Sequence, residues 1–335
     1  MIDNPIVPTI PLDQDGTHHG HLRLPYSRDD SAWGSVMIPI CVVKNGSGPT
    51  ALLTGANHGD EYEGPVALQS LTHQLKAEDI RGRVIIVPAF NYPAFRAQTR
   101  TSPIDAGNLN RSFPGRPAGT VTEKIADYFE RYLIPLADIV LDIHAGGKTL
   151  DFVPFAAAHI LADKDQQAAC IAAMHAFNAP YSMMLEEIDS VGMYDTAVES
   201  QGKVFISTEL GGGGTATARS SEITRKGVRN LLIHAGILQS EMQFSASKLL
   251  YMEGDLSHSF CEDDGLVDYC VDLEDQLHVG DIIARVWPLD RTGQAPIEYA
   301  AKTSGILAAR HFPGLIKTGD FLALIARIIE PKVDN

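Results

Sequence analysis

The sequence predicts an α/β fold, a mixed sheet flanked by helices, followed by a smaller all-β unit. Three observations lead there. Short apolar runs near 51–56, 83–88, 139–143 and 203–210 alternate with stretches of helical spacing, as in domains that cover a sheet with helices. Three of these runs lead into His58, His144 and Glu209, and chemistry in such sheets sits at the carboxyl ends of strands. Around 239–247 the style changes to short apolar runs, several opened by Gly-Asp, with almost no helical spacing. The chain therefore divides into residues 1–245 and a β unit at 246–335.

In order, residues 1–20 are rich in Pro and Asp and read as irregular. The alternation across 21–43 predicts strands at a sheet edge. Asn45-Gly46 is a hairpin signal leading into the strand at 51. Residues 65–75 have helical spacing, with Pro65 where a first turn tolerates it. The run at 83–88 is a buried strand. Residues 91–119, rich in Gly, Pro, Asn and Arg, form a long loop of the kind that carries function. Residues 122–133 predict one amphipathic helix with Thr122 as a possible cap. The 139–143 run is the next buried strand, and 152–155 another. Helices follow at 164–177 and 192–199. A strand at 203–210 ends in four glycines, Gly211 to Gly214, and a helix spans 223–238.

With 335 residues, 44% hydrophobic and 21% charged, the chain can build sizeable cores and reads as an ordinary soluble protein. A net charge of −15 disfavours nucleic acid and anionic membranes as partners. No apolar run approaches the ~20 residues a membrane-spanning helix needs. Cys41, Cys170, Cys261 and Cys270 are scattered without a CxxC pair, and the first residues lack a signal-peptide pattern. Reduced thiols in the cytoplasm are the expectation.

The stretch TALLTGANHGDEYEG carries the chemistry. It places His58 and Glu61 three residues apart in a turn after an apolar strand, where an imidazole and a carboxylate can close on one divalent metal. The matching third ligand is His144, at the end of another apolar strand. Two His and one Glu leave a fourth zinc position open, the catalytic arrangement. A lone His beside a Glu is more often a structural pair; the flanking glycines and the matching His144 favour the metal. No HExxH is present. Glu209, set against bare glycine backbone, has the chemistry of a general base beside such a metal, although composition alone reads it as a solvated loop residue. Arg100, Asn110 and Arg111 lie in the long loop, where a guanidinium can grip a carboxylate in two-pronged fashion and another can hold a developing oxyanion. Gly211 to Gly214 lack the context of a phosphate loop.

GANHGDE, NLNRSFPG, DIHAGG and TELGGGG, in that order, resemble the succinylglutamate desuccinylase/aspartoacylase family, of the zinc carboxypeptidase-like superfamily. The resemblance covers about 30–330. It implies zinc bound by His58, Glu61 and His144, Glu209 as general base, Asn110 and Arg111 as the substrate-carboxylate grip, and Arg100 polarising the scissile carbonyl. Arg100 lies a few residues further from the Asn-Arg pair than the family spacing leads one to expect. The implied substrate is an N-acyl amino acid. The tail resembles the family's C-terminal β unit, shaped like a biotinyl or lipoyl module. Its expected hairpin tip, 289–293, has no lysine, so it reads as a shaper of the active-site mouth rather than a carrier. More narrowly, LPYSRDDSAWGSVMIPI and TRTSPIDAGNLNRSFPG resemble the branch of N-α-acetyl-L-2,4-diaminobutyrate deacetylases of ectoine degradation. That implies a side-chain ammonium, which Glu186, Glu187, Asp189 or Asp195 could contact. A carboxypeptidase would use the same metal set, with access narrowed by the β unit. A binding protein on a dead hydrolase fold would lack one of the chemical residues, and none is missing. A homodimer is one assembly compatible with all this.

Overall fold

The computed structural model describes residues 3–186 and 191–329. Four parallel strands form its centre, in the order Gly82–Val87, Thr50–Gly55, Ile139–His144 and Val204–Glu209. The first three are buried along their whole length. That is why the sequence shows apolar runs there rather than alternation: both faces are covered.

Alternate side chains of these strands feed two cores. Leu52, Ile85 and Val140 pack with Ile125, Phe129 and Tyr194 on one face. Leu53, Ile86 and Leu141 pack with Leu68, Met174 and Leu231 on the other. The helices Glu63–Gln74, Lys164–Phe177 and Ala218–His234 cover the second face.

The sheet is mixed. At one edge Gly16–Pro25 and Ser35–Asn45 run antiparallel, as the alternation at 21–43 predicts. Beyond Val204–Glu209 the direction reverses at Phe155–His159, and Tyr181–Leu185 and Lys248–Tyr251 continue parallel to that strand. The sheet then passes into the tail, because Phe321–Ile329 pairs with Lys248–Tyr251. A separate antiparallel sheet of Ile297–Ala300, Ile282–Trp287, Gly265–Tyr269 and Leu315–Ile316 closes the tail. Its core contains Ile283, Val286, Leu307, Leu322 and Ile325. Residues 289–293 do lie between two antiparallel strands, Ile282–Trp287 and Ile297–Ala300.

Several local expectations are corrected. Asn45-Gly46 does not close a hairpin: Gly82–Val87 lies between Ser35–Asn45 and Thr50–Gly55. The helix expected at 122–133 is α-helical over Val121–Tyr128 and widens into a π turn over Phe129–Leu133. Its cap is Thr120, whose hydroxyl accepts from Glu123 N while the Glu123 carboxylate accepts from Thr120 N. Thr122 is instead buried, donating through Oγ1 to Asp105 at 2.7 Å. The 223–238 helix begins five residues earlier, at Ala218, because Thr217 caps it. The run at 152–155 is divided. Leu150–Phe152 pairs with the tail strand Gly305–His311, and Phe155–His159 belongs to the main sheet. The loop at 91–119 contains short helical turns at Tyr92–Ala97 and Leu109–Arg111.

Because the Thr120 side chain is exposed and its work is the cap, Thr120→Ala should lower unfolding stability by about 1 kcal/mol without changing turnover. Urea unfolding checks this; an unaltered midpoint would remove the capping box from the account.

Candidate active site

The end of Thr50–Gly55 opens into a turn that presents Asn57, His58 and Glu61. Ala56 adopts φ 52°, a left-handed value that few non-glycine residues take, and bends the chain at that point. The turn is clamped by Asn91, just before the helical turn Tyr92–Ala97: Asn91 N donates to Ala56 O at 3.2 Å and Asn91 Nδ2 to Asn57 O at 3.0 Å. Gly59 packs so closely that a Cβ there would lie 2.0 Å from the Ala94 backbone. Only glycine fits at position 59.

His58, Glu61 and His144 are all buried, and their ligand atoms lie within 4.8 Å of one another. One Glu61 oxygen is 2.7 Å from His58 Nδ1, and the other is 2.9 Å from His144 Nδ1. On the far side of the His144 ring, Nε2 meets Asp142 Oδ2 at 2.7 Å. Asp142 also accepts from Thr54 Oγ1 at 2.8 Å and Asn57 Nδ2 at 2.9 Å. A carboxylate behind an imidazole fixes its tautomer and orientation, as behind metal-bound histidines generally. Asp142 and His144, two residues apart on one strand, share a face, so this pair was open to sequence reasoning but was missed.

The electrostatics match a cation site. Burial opposes the Glu61 charge, but the two imidazoles outweigh it and hold this carboxyl well below the usual range. Burial likewise opposes protonation of His144, yet Asp142 and Glu61 raise it well above the ordinary imidazole value. Burial lowers His58. Two Nδ1 atoms thus face one carboxylate around positive charge. A divalent metal can replace the proton held there, because metal binding releases protons from its ligands. The donors present, two imidazole nitrogens and a carboxylate, fit such an ion.

Glu209 ends its strand opposite His144 in parallel register. Its Oε2 is buried and accepts no hydrogen bond. Burial and the nearby Glu61 charge push it up to about 8, against the pull of His144 and Arg100. Glu63, also missed in the sequence, is a third buried carboxyl here. Burial pushes it up to about 7, and the Ser220 hydroxyl donates to it at 3.3 Å.

These groups open on a cavity of about 160 Å³ that includes His58, Arg100, Asn110, Arg111, His144, Asp195 and Glu209 in its lining. That is well under the ~300–1,000 Å³ of a drug-sized ligand site, so the fit is to a small molecule. Arg100 reaches within 3.8 Å of Glu61 with its guanidinium half exposed. Asn110 Oδ1 accepts from Tyr194 N at 3.0 Å, which turns the amide NH2 away from Tyr194. Arg111 Nη1 donates to Asn110 O at 2.7 Å. Of the four acids proposed for a side-chain ammonium, Asp195 lines the cavity, Glu186 is exposed after Tyr181–Leu185, and Glu187 and Asp189 lie outside the described residues.

Among the described residues, those lining this cavity all fall between 58 and 209, and none comes from the tail. It acts one layer back. Gly305–His311 pairs with Leu150–Phe152, and that segment bonds the glycines after Glu209: Phe152 N to Gly211 O at 3.2 Å and Gly213 N to Leu150 O at 3.0 Å. A Cβ on Gly212 would lie 2.0 Å from Leu150 O, which explains the bare backbone.

A parallel sheet whose strand ends gather two imidazoles and a carboxylate, beside a separate buried carboxyl, is an arrangement that could hold a metal in a hydrolase. The chain belongs to the succinylglutamate desuccinylase/aspartoacylase family, whose catalytic-domain model matches residues 47–235, and is a hydrolase of amide bonds. It is 53% identical over 331 residues to the N-alpha-acetyl-L-2,4-diaminobutyric acid deacetylase of Halomonas elongata, covering 98% of this chain and 96% of that one. The product-bound structure of the ectoine utilization protein EutE (DoeB) from Ruegeria pomeroyi superposes with a TM-score of 0.96. The two chains are 67% identical, and the match covers 98% of this chain and all of that one, 100%. A succinylglutamate desuccinylase structure from Rhodobacter sphaeroides, 34% identical, covers 98% and 100% of the two chains with a TM-score of 0.93.

Asp142→Asn should weaken metal affinity about 10- to 100-fold by leaving His144 without its charged partner. Competition against a chromophoric chelator measures it; wild-type affinity would mean that Asp142 does not position the ligand.

Proposed function

We propose that the protein is a zinc-dependent deacylase that removes the acetyl group from N-α-acetyl-L-2,4-diaminobutyrate, giving L-2,4-diaminobutyrate and acetate. The observation that carries this reading is the convergence of His58, Glu61 and His144 beside the unpartnered buried oxygen of Glu209. The substrate follows from the name of the Halomonas relative and the ectoine-utilization role of the Ruegeria one.

The residues divide the work as follows. His58, Glu61 and His144 hold the zinc, with Asp142 orienting His144. Zinc bound there supplies Lewis acidity at the scissile carbonyl and lowers the pKa of a water towards ~7. Glu209 takes the proton from the attacking water and returns it to the departing nitrogen, a role open to a buried carboxyl whose Oε2 has no other hydrogen-bond partner. Arg100 donates to the carbonyl oxygen as charge develops on it. The Asn110 amide and the Arg111 guanidinium grip the α-carboxylate. Residues 1–245 form the catalytic unit and 246–335 the β unit, of which 330–335 lie outside the described residues; the separate apolar core at 261–325 supports that division. The enzyme works in the cytoplasm, in keeping with four unbridged cysteines. Among the described residues no helix is long and apolar enough to cross a membrane. Its assembly as a homodimer is open to sedimentation.

Amine release across N-acetyl, N-succinyl and N-aspartyl-type substrates, with and without a chelator, tests the reading. Acetyl-diaminobutyrate should be split fastest and the chelator should abolish the reaction; chelator-resistant turnover would end the zinc assignment. Glu209→Gln should keep its zinc and lose about 10²–10⁴ in rate. His58→Ala should lose zinc as well, read by elemental analysis.

A further inference from the structure

We infer that Asp195 is the carboxylate that receives the side-chain cation of the substrate, and so the residue that selects a short, positively charged side chain. The inference rests on the reading of the substrate as an N-acyl amino acid that keeps a free ammonium.

Asp195 is 7% exposed and lines the same cavity as His144 and Glu209. The other acids of the site cluster at the proposed metal set. Glu61 lies between the two imidazoles, Asp142 holds His144, Asn57 and Thr54, and Glu209 stands beside the metal set. Asp195 stands in a different part of the fold, on the helix Tyr194–Glu199, against the loop of Asn110 and Arg111.

Its position relative to that loop is rigid. Tyr194 N, one residue before Asp195, donates to Asn110 Oδ1 at 3.0 Å, and Phe113 N donates to Gly192 O at 3.0 Å. The Tyr194 ring packs on Phe113 and Phe90 at centroid distances of 4.9 and 5.3 Å. Thr196 N and Thr196 Oγ1 both donate to Asp195 Oδ1, which fixes the carboxylate plane. One frame therefore holds both the grip on the α-carboxylate and the proposed receiver of the side-chain cation. Such a frame measures the separation between the two charges of the substrate. A cation entering a cavity lined by buried groups such as His58, His144 and Asp195 gains from a counter-charge, since an unpaired buried charge is costly.

The test compares N-α-acetyl-L-2,4-diaminobutyrate with N-acetyl-L-homoserine, which puts a neutral hydroxyl where the ammonium stands. Wild type should prefer the charged substrate. In Asp195→Asn, kcat/KM for the charged substrate should fall about 10- to 150-fold, the size of a lost hydrogen bond to a charged group, while that for the homoserine compound should change little. A merely structural role would lower both together, so an unaltered ratio of the two overturns the inference and leaves the function standing. If Asp195→Asn does not fold or load zinc, Asp195→Glu serves. Its carboxylate reaches one methylene further and should shift preference towards N-α-acetyl-L-2,3-diaminopropionate; an unchanged order of preference overturns the inference. Wild type that splits the charged and neutral compounds equally well overturns it too. Wild type inert towards both overturns the substrate reading, and this inference with it.

Discussion

The Glu61 carboxylate, with one oxygen on each of two buried imidazoles, is the constraint around which the molecule is arranged. A charged carboxyl taken out of water is costly unless positive charge meets it. Here the nearest positive charge comes from His58, in the turn after Thr50–Gly55, and His144, at the end of Ile139–His144. Satisfying one side chain therefore requires Thr50–Gly55 and Ile139–His144 to lie side by side in a single register, which is how they pair. The same register sets Asp142 behind His144, and the next strand sets Glu209 level with it. The strand order and the chemistry are one requirement.

That requirement explains what could be read from sequence. A strand whose end must present a fixed side chain in a dry site is written as an apolar run followed by His or Glu and glycine, and such runs are conspicuous. The site residues at strand ends were legible for this reason, and so was the α/β class. Asp142 was equally legible in principle, two residues before His144 on the same strand face, but an acid inside an apolar strand does not by itself say which imidazole it supports. Glu63 carried no signal, since its hydrogen-bond partner Ser220 lies 157 residues away on the helix that starts at Ala218.

The misread elements fail for one physical reason. Asn45-Gly46 has the chemistry of a tight turn, but the strand that fills the gap comes from residues 82–87, and no local rule sees a partner that distant. Thr120 and Thr122 are both able to cap; burial against Asp105 decided which one did. The split at 150–155 arises because Leu150–Phe152 pairs with a strand more than 150 residues later while Phe155–His159 pairs with Val204–Glu209. Local patterning names the pieces, and long-range pairing chooses among their uses.

The sheet that carries the active centre runs on through Lys248–Tyr251 into Phe321–Ile329, and Gly305–His311 grips the segment that braces the glycines after Glu209. During synthesis on the ribosome, all the chemical side chains emerge long before the strands that brace them. A nascent chain can thus hold every candidate site residue and still lack the brace behind Glu209. Hydrolytic competence should arrive late in translation, when the final strand has left the exit tunnel.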